Sequence, residues 1–300
     1  GETTFNGSLI EGGKLWVLQS DIATARLKTS LYLVDVIESL QNHGLTLLPK
    51  NMGFVVSETQ DYLAAKVDIH EVGMINSLLP DMRLERGTKL KLLINDDGDT
   101  LMLKAAAPSF EVAGVNFQNP RIKLNSVGDE LTGTVELNEL LVDSLSITNY
   151  AMDIQRDSAK LYLDHSGWLN DTLLGFRITQ SVAYTDSVFT TMSIDSSELF
   201  FARDTFSMTC DSISWDVANQ FSFNGFNIAL NEQLFRAEGF FDLMGNYDFD
   251  YSLHHIDIAN ATPFFPEYFA QASGELNGDG HVGARKGHPV MEASVIVNPI

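Results

Sequence analysis

Leu131-Thr132-Gly133-Thr134-Val135-Glu136-Leu137 decides the fold class. Successive side chains of a strand point to opposite faces, so Leu131, Gly133, Val135 and Leu137 fall on one side and Thr132, Thr134 and Glu136 on the other. The same period of two recurs outward from this stretch. Upstream, Ile122 and Leu124 oppose Arg121, Lys123 and Asn125. Downstream, Leu161 and Leu163 oppose Lys160, Tyr162 and Asp164. Further on, Tyr247, Phe249, Tyr251 and Leu253 oppose Asp248, Asp250, Ser252 and His254. Each run has one apolar and one wet face, which predicts an all-β chain, mainly antiparallel or mixed.

Turn residues punctuate the runs. Asp97-Gly98 separates a run ending at Ile94 from Leu101-Met102-Leu103 and predicts a tight antiparallel hairpin. At Asn224-Gly225 the phase slips: Phe221 and Phe223 precede it, and Phe226, Ile228 and Leu230 follow in the opposite phase. A bulge there keeps all five on one face, and a hairpin turn is the alternative. His254-His255 marks a similar slip between Leu253 and Ile256.

Few helices are expected: near 33–41, where Val34, Ile37, Glu38 and Leu40 fit a 3.6 period, and near 73–79 and 260–265. The last two end in paired large apolar residues and a proline, Leu78-Leu79-Pro80 and Phe264-Phe265-Pro266. They read as repeated strand–helix–strand corners at about 67–90 and 253–276. No linker or low-complexity tract divides residues 1–300, so the expectation is one continuous β body.

The chain is 44% hydrophobic and 20% charged, a composition that folds. Its 19 Lys and Arg against 40 Asp and Glu give a formal charge of −21. Such a field repels phosphate backbones, so nucleic acid is not an expected partner, nor is adhesion to an anionic bilayer through a basic patch. The single Cys210 allows neither an intrachain disulfide nor a cysteine metal cluster. No run reaches the roughly 18 apolar residues of a membrane span. The start lacks the basic and apolar regions of a signal peptide, and Val295-Ile296-Val297 at the end reads as a strand cut from something longer.

Chemical motifs are absent. Asn95-Asp96-Asp97-Gly98-Asp99 fails as a calcium loop, because placing Gly98 sixth puts Leu93 where a carboxylate is needed. His255 and Asp257 share a strand face while His254 does not, and two ligands do not make a tetrahedral site. His281 and His288 lack a carboxylate partner that the sequence places. Nucleophile elbows and phosphate-cradling loops are missing. The expectation is a non-enzymatic chain with no metal and no cofactor.

Phe221, Phe223, Phe226 and Phe249 sit on apolar strand sides. In a closed β-sandwich such residues are core; in an open groove they are a binding wall. Alternation alone leaves both open.

Ala272-Ser273-Gly274-Glu275-Leu276-Asn277-Gly278-Asp279-Gly280-His281-Val282-Gly283 is followed by Lys286-Gly287-His288-Pro289-Val290-Met291-Glu292-Ala293. This small-Gly-x-Leu-x-Gly pattern with a following proline resembles the repeats of the TamB and AsmA-like family of translocation-and-assembly-module proteins. Thr132-Gly133-Thr134-Val135-Glu136-Leu137 and the proline-ended corners resemble it too. The likeness is strongest over about 240–297 and traceable over 60–160. It implies an elongated curled sheet, the β-taco, whose concave apolar side stays open. It implies a periplasmic location, anchored in the inner membrane by a helix of the full-length protein. The implied work is phospholipid transport toward the outer membrane and outer-membrane protein assembly beside a barrel partner of the Omp85 type. Phospholipid acyl chains would then lie against Leu131, Val135, Leu137, Leu161, Leu163, Phe221, Phe223, Phe249, Tyr251 and Leu253. Two other readings are a secreted adhesin or glycan-binding β protein, and a chaperone or spacer surface for outer-membrane strands. Trp16, Trp168 and Trp215 share no motif that would favour the adhesin.

Overall fold

The computed structural model describes residues 3–32, 35, 62–78, 82–95, 100–128, 130–142, 145–157, 160–170, 174–184, 190–201, 204–215, 220–242, 244–261, 273–285 and 288–298. The fold is all-β and antiparallel, in two compact units, Gly1–Gly175 and Phe176–Ile300.

In the first unit the strands are β1 (Thr4–Ile10), β2 (Gly13–Gln19), β3 (Ala23–Thr29), β4 (Tyr62–Ile69), β5 (Met82–Leu84), β6 (Lys89–Asn95) and β7 (Thr100–Ala106). They continue as β8 (Ser109–Val112), β9 (Val115–Gln118), β10 (Arg121–Val127), β11 (Glu130–Val142), β12 (Leu145–Arg156) and β13 (Lys160–Leu169). Hydrogen-bonded neighbours run β1-β2-β3-β4-β6-β7-β10-β11-β12-β13, so these strands form one sheet and are not shared between the two sheets of a sandwich.

A shorter ribbon, β5-β8-β9, pairs with the far half of β11. It prolongs the β7–β10 hairpin past a bend at Pro108 and Pro120, which have no N–H to give the ladder. Their carbonyls still accept: Ala107 N donates to Pro120 O (3.1 Å) and Asn119 N to Pro108 O (2.8 Å). The hairpin tip, Ala113-Gly114, has both φ positive, as a two-residue primed turn needs.

One α-helix is described, α1 (Gly73–Leu78). Glu71 Oε1 accepts from Val72 N (3.0 Å) and Gly73 N (3.2 Å), satisfying amides at its start. Asn76 mimics a strand neighbour: its Nδ2 donates to Leu84 O (3.0 Å) and its Oδ1 accepts from Leu84 N (2.9 Å). The second corner holds a 3-10 turn at Ile258–Ala261 where an α-helix over 260–265 is predicted, and the remainder of that stretch lies outside the described residues. Most of 33–41, with Pro80 and Pro266, lies outside them as well. Ile94 pairs with Leu101 and Asn95 with Thr100, an antiparallel register centred on Asp97-Gly98 as expected, and residues 96–99 themselves lie outside the described residues.

The second unit holds β14 (Leu174–Tyr184) from Phe176 onward, then β15 (Thr190–Phe201), β16 (Asp204–Trp215), β17 (Gln220–Leu230), β18 (Gln233–Asp242), β19 (Tyr247–Asp257), β20 (Glu275–Arg285) and β21 (His288–Asn298). From β15 to β21 each strand pairs with the next. Asn224-Gly225 is a bulge inside β17, not a hairpin: pairing passes from Phe223↔Gly239 to Phe226↔Ala237. His255 is likewise bulged, with φ 51, between Leu253↔Gly278 and Ile256↔Leu276. Asn277 Oδ1 accepts from His255 N (2.9 Å), and Glu275 Oε1 lies 2.8 Å from His255 Nδ1. These contacts hold the bulge in place.

Gly225 has φ 63, and a Cβ there would overlap the Asp211 carboxylate. Gly225→Val therefore strains the backbone and forces the Asp211 side chain aside. A loss of about 2–3 kcal/mol is expected, against about 1 kcal/mol for Gly12→Ala, where φ is also positive but the space is open. Urea midpoints of the two variants check the difference.

The β18–β19 turn hangs on one carboxylate. Asp242 accepts from Asn246 Nδ2 (2.7 Å), Asn246 N (2.8 Å) and Met244 N (2.8 Å). The Asn246 side chain chiefly, with these amides, holds its pKa below the ordinary carboxylate value. The charged form is therefore the one the fold favours. The turn keeps this support above about pH 4 and loses it as pH falls through the lower folded value. Protection of the Met244 and Asn246 amides is expected to drop between pH 6 and pH 3, and Asp242→Asn to remove that dependence.

Candidate functional site

Register brings the alternating runs into rows across the first unit's sheet. The central row of the apolar face passes from Trp16 through Leu27, Ala65, Leu92, Leu103, Leu124, Gly133 and Ile154 to Leu163. A parallel row runs Phe5, Leu18, Ala25, Val67, Leu90, Ala105, Ile122, Val135, Met152. The third contains Leu63, Ile94, Leu101, Ser126, Leu131, Arg156 and Leu161. Apart from exposed Phe5, the residues of the first two rows are half-buried. The third row is buried from Leu63 to Arg156, Leu63 and Ile94 being each 1% exposed, and opens only at Leu161.

Leu131, Val135, Leu137, Leu161 and Leu163 thus share one face, as the alternation predicts. Their burial differs. Leu131 and Leu137 are buried, whereas Val135, Leu161 and Leu163 are partly open. Polar groups that the alternation did not reveal also stand on this face: buried Thr29, Ser126 and Arg156, and Tyr150, whose hydroxyl lies 2.7 Å from His165 Nδ1. Burial raises the Tyr150 pKa, which keeps the phenol neutral.

In the second unit the bulge at Gly225 puts Phe221, Phe223 and Phe226 on the face that holds Phe249, Tyr251 and Leu253. Phe221 stacks on Phe241 with ring centres 5.1 Å apart. Phe223 touches both Phe226 (6.5 Å, edge-on) and Phe249 (6.4 Å), and Phe226 meets Phe235 (6.3 Å). Such offset and edge-to-face pairs add to the area they bury. Tyr251 lies over Gly280, where any side chain would collide with its ring. Phe241 is exposed and the other rings are half-buried, so the aromatic wall is not a closed core.

The opposite face of the second unit is polar. An open depression of about 730 Å³ is bordered by Arg236, Glu238, Asp250, His281 and Glu292. His281 Nδ1 lies 3.0 Å from Asp250 Oδ1, the carboxylate neighbour that its sequence position did not disclose. His255 and Asp257 do structural work: the Asp257 carboxylate accepts from Ala259 N (2.9 Å). Among the described residues, no group of three or more His, Cys, Asp or Glu is placed to hold a metal ion. Cys210 is buried, and burial chiefly raises its pKa. Among those residues, no helix is long and apolar enough to cross a membrane.

The arrangement can hold apolar matter by contact along a row. No protein-family model, no curated protein and no solved structure matches the chain.

Proposed function

We propose that the chain is part of a TamB-like, non-enzymatic periplasmic protein whose apolar sheet face carries phospholipid acyl chains between the inner and outer membranes. The carrying observation is the half-buried apolar surface of the first unit, continuous over the ten strands β1 to β13 of its main sheet. At about 4.8 Å per strand each of its two nine-strand rows extends roughly 38 Å. Every methylene laid on such a surface is worth up to about 0.8 kcal/mol. Dispersion contacts are non-directional, so a chain slides from strand to strand with little change in energy. The aromatic wall of the second unit offers the same chemistry. An inner-membrane anchor in the full-length protein and an Omp85-type barrel partner belong to this reading through the family resemblance.

Native mass spectrometry of the chain purified from a Gram-negative host tests it. Co-purifying phospholipid, displaced by a competing acyl chain, is the expected result. Protein consistently free of lipid, and unable to take up a fluorescent phospholipid, would sink the proposal. Glycan binding by such protein would favour the adhesin reading instead.

A further inference from the structure

On the wet face of the first unit, strand register aligns five cations that are far apart in sequence. Arg26 pairs with Lys66, Lys66 with Lys91, Lys91 with Lys104, and Lys104 with Lys123. They occupy five consecutive strands, span about 19 Å at the usual strand spacing, and are all exposed. Among the described residues only Lys66 has a carboxylate within ion-pair distance, Asp68 at 3.1 Å.

Like charges directly opposite each other destabilise a sheet. A chain with 40 acids could have alternated signs here. Edge protection does not account for the lysines, because each of these strands is paired on both sides. An isolated lysine on a wet face needs no explanation, but five in one row oppose folding and call for an external anion.

The row also changes sign. Past Lys123 it continues through Thr134 to Asp153 and Asp164. A phosphate polymer or an anionic membrane plane is negative throughout and meets repulsion at that end. A polypeptide can carry both signs. We infer that this row docks an extended polypeptide segment, acidic opposite Arg26–Lys123 and basic opposite Asp153 and Asp164. The eight positions span about 34 Å, the reach of roughly ten extended residues. The site is on the face opposite the apolar rows, so it stands or falls independently of lipid carriage.

The test uses the whole chain and a dye-labelled ten-residue peptide with five glutamates at one end and two lysines at the other. Fluorescence anisotropy should show binding that weakens with salt. Lys91→Glu, Lys104→Glu and Lys123→Glu together should weaken it at least about tenfold, because three attractive contacts become repulsive. Asp153→Lys with Asp164→Lys should weaken the mixed peptide and strengthen an all-glutamate one. Lys104→Glu alone should raise the thermal midpoint, since it turns two repulsive pairs into attractive ones. Four results would overturn the inference: no peptide binding, indifference to the triple reversal, equal or tighter binding of polyphosphate or anionic phospholipid vesicles, or a Lys104→Glu midpoint below that of the unaltered chain. Lipid co-purification is expected to be unchanged by every one of these substitutions.

Discussion

Ile94→Asp is expected to unfold the Gly1–Gly175 unit. Ile94 is 1% exposed and lies in the most sealed part of the apolar face, against Leu63 (1%) and Leu101 (7%), with Leu27, Leu92 and Leu103 packed around them. Ile94 is flanked across the strands by Leu63 and Leu101. A carboxylate placed there gains no donor from either neighbour. Burying it unpaired, or protonating it to avoid the charge, costs several kcal/mol, and the lost apolar contact adds about 2 kcal/mol or more. Against a total stability of about 5–15 kcal/mol, that suffices to abolish the native state. Circular dichroism and urea titration check it: strand signal lost at 25 °C is the expected outcome, and a cooperative transition near the original midpoint would show that this cluster is not the unit's core.

Val135→Asp and Leu163→Arg, tested singly and together, are expected to do the opposite: keep the fold and lose the lipid. Both residues are half-buried, on neighbouring rows of the same face. A charged head at such a position can reach water, and the aliphatic stem of Arg can still cover its neighbours. The loss is that of a partly buried side chain, about 1–2 kcal/mol each. A lipid tail crossing the row has no such freedom. It must lie beside a charge or leave it solvated, so co-purifying phospholipid should fall at least about tenfold. Thermal stability and lipid content measured on the same samples decide the matter. Collapse of both together at Val135 and Leu163 would mean that these positions are closed core and not an open face.

The contrast between Ile94 and Val135 was invisible in the sequence. Both are apolar members of alternating runs, and only the placement of neighbouring strands seals one and leaves the other accessible. The same holds for the polar intruders on the apolar face. Ser126 and Arg156 stand opposite Leu131 because of a register that no local pattern encodes.

What the sequence determined by itself was local. A period of two assigns side chains to faces strand by strand, and it placed Leu131, Val135, Leu137, Leu161 and Leu163 on one face and Phe221, Phe223, Phe249, Tyr251 and Leu253 on one face. The phase slips at Gly225 and His255 were legible for the same reason, since one inserted residue inverts the alternation, but pairing across the sheet decided that Gly225 is a bulge and not a hairpin turn. Tertiary structure alone decided how the strands line up. Register depends on loop lengths and on pairing between segments tens of residues apart, and it sets which residue sits beside which across the sheet. Arg26, Lys66, Lys91, Lys104 and Lys123 look unrelated along the chain, each an ordinary solvated cation in its own strand. They become a row because hydrogen bonding between backbones, indifferent to side-chain charge, fixes their strands at one spacing and in one register.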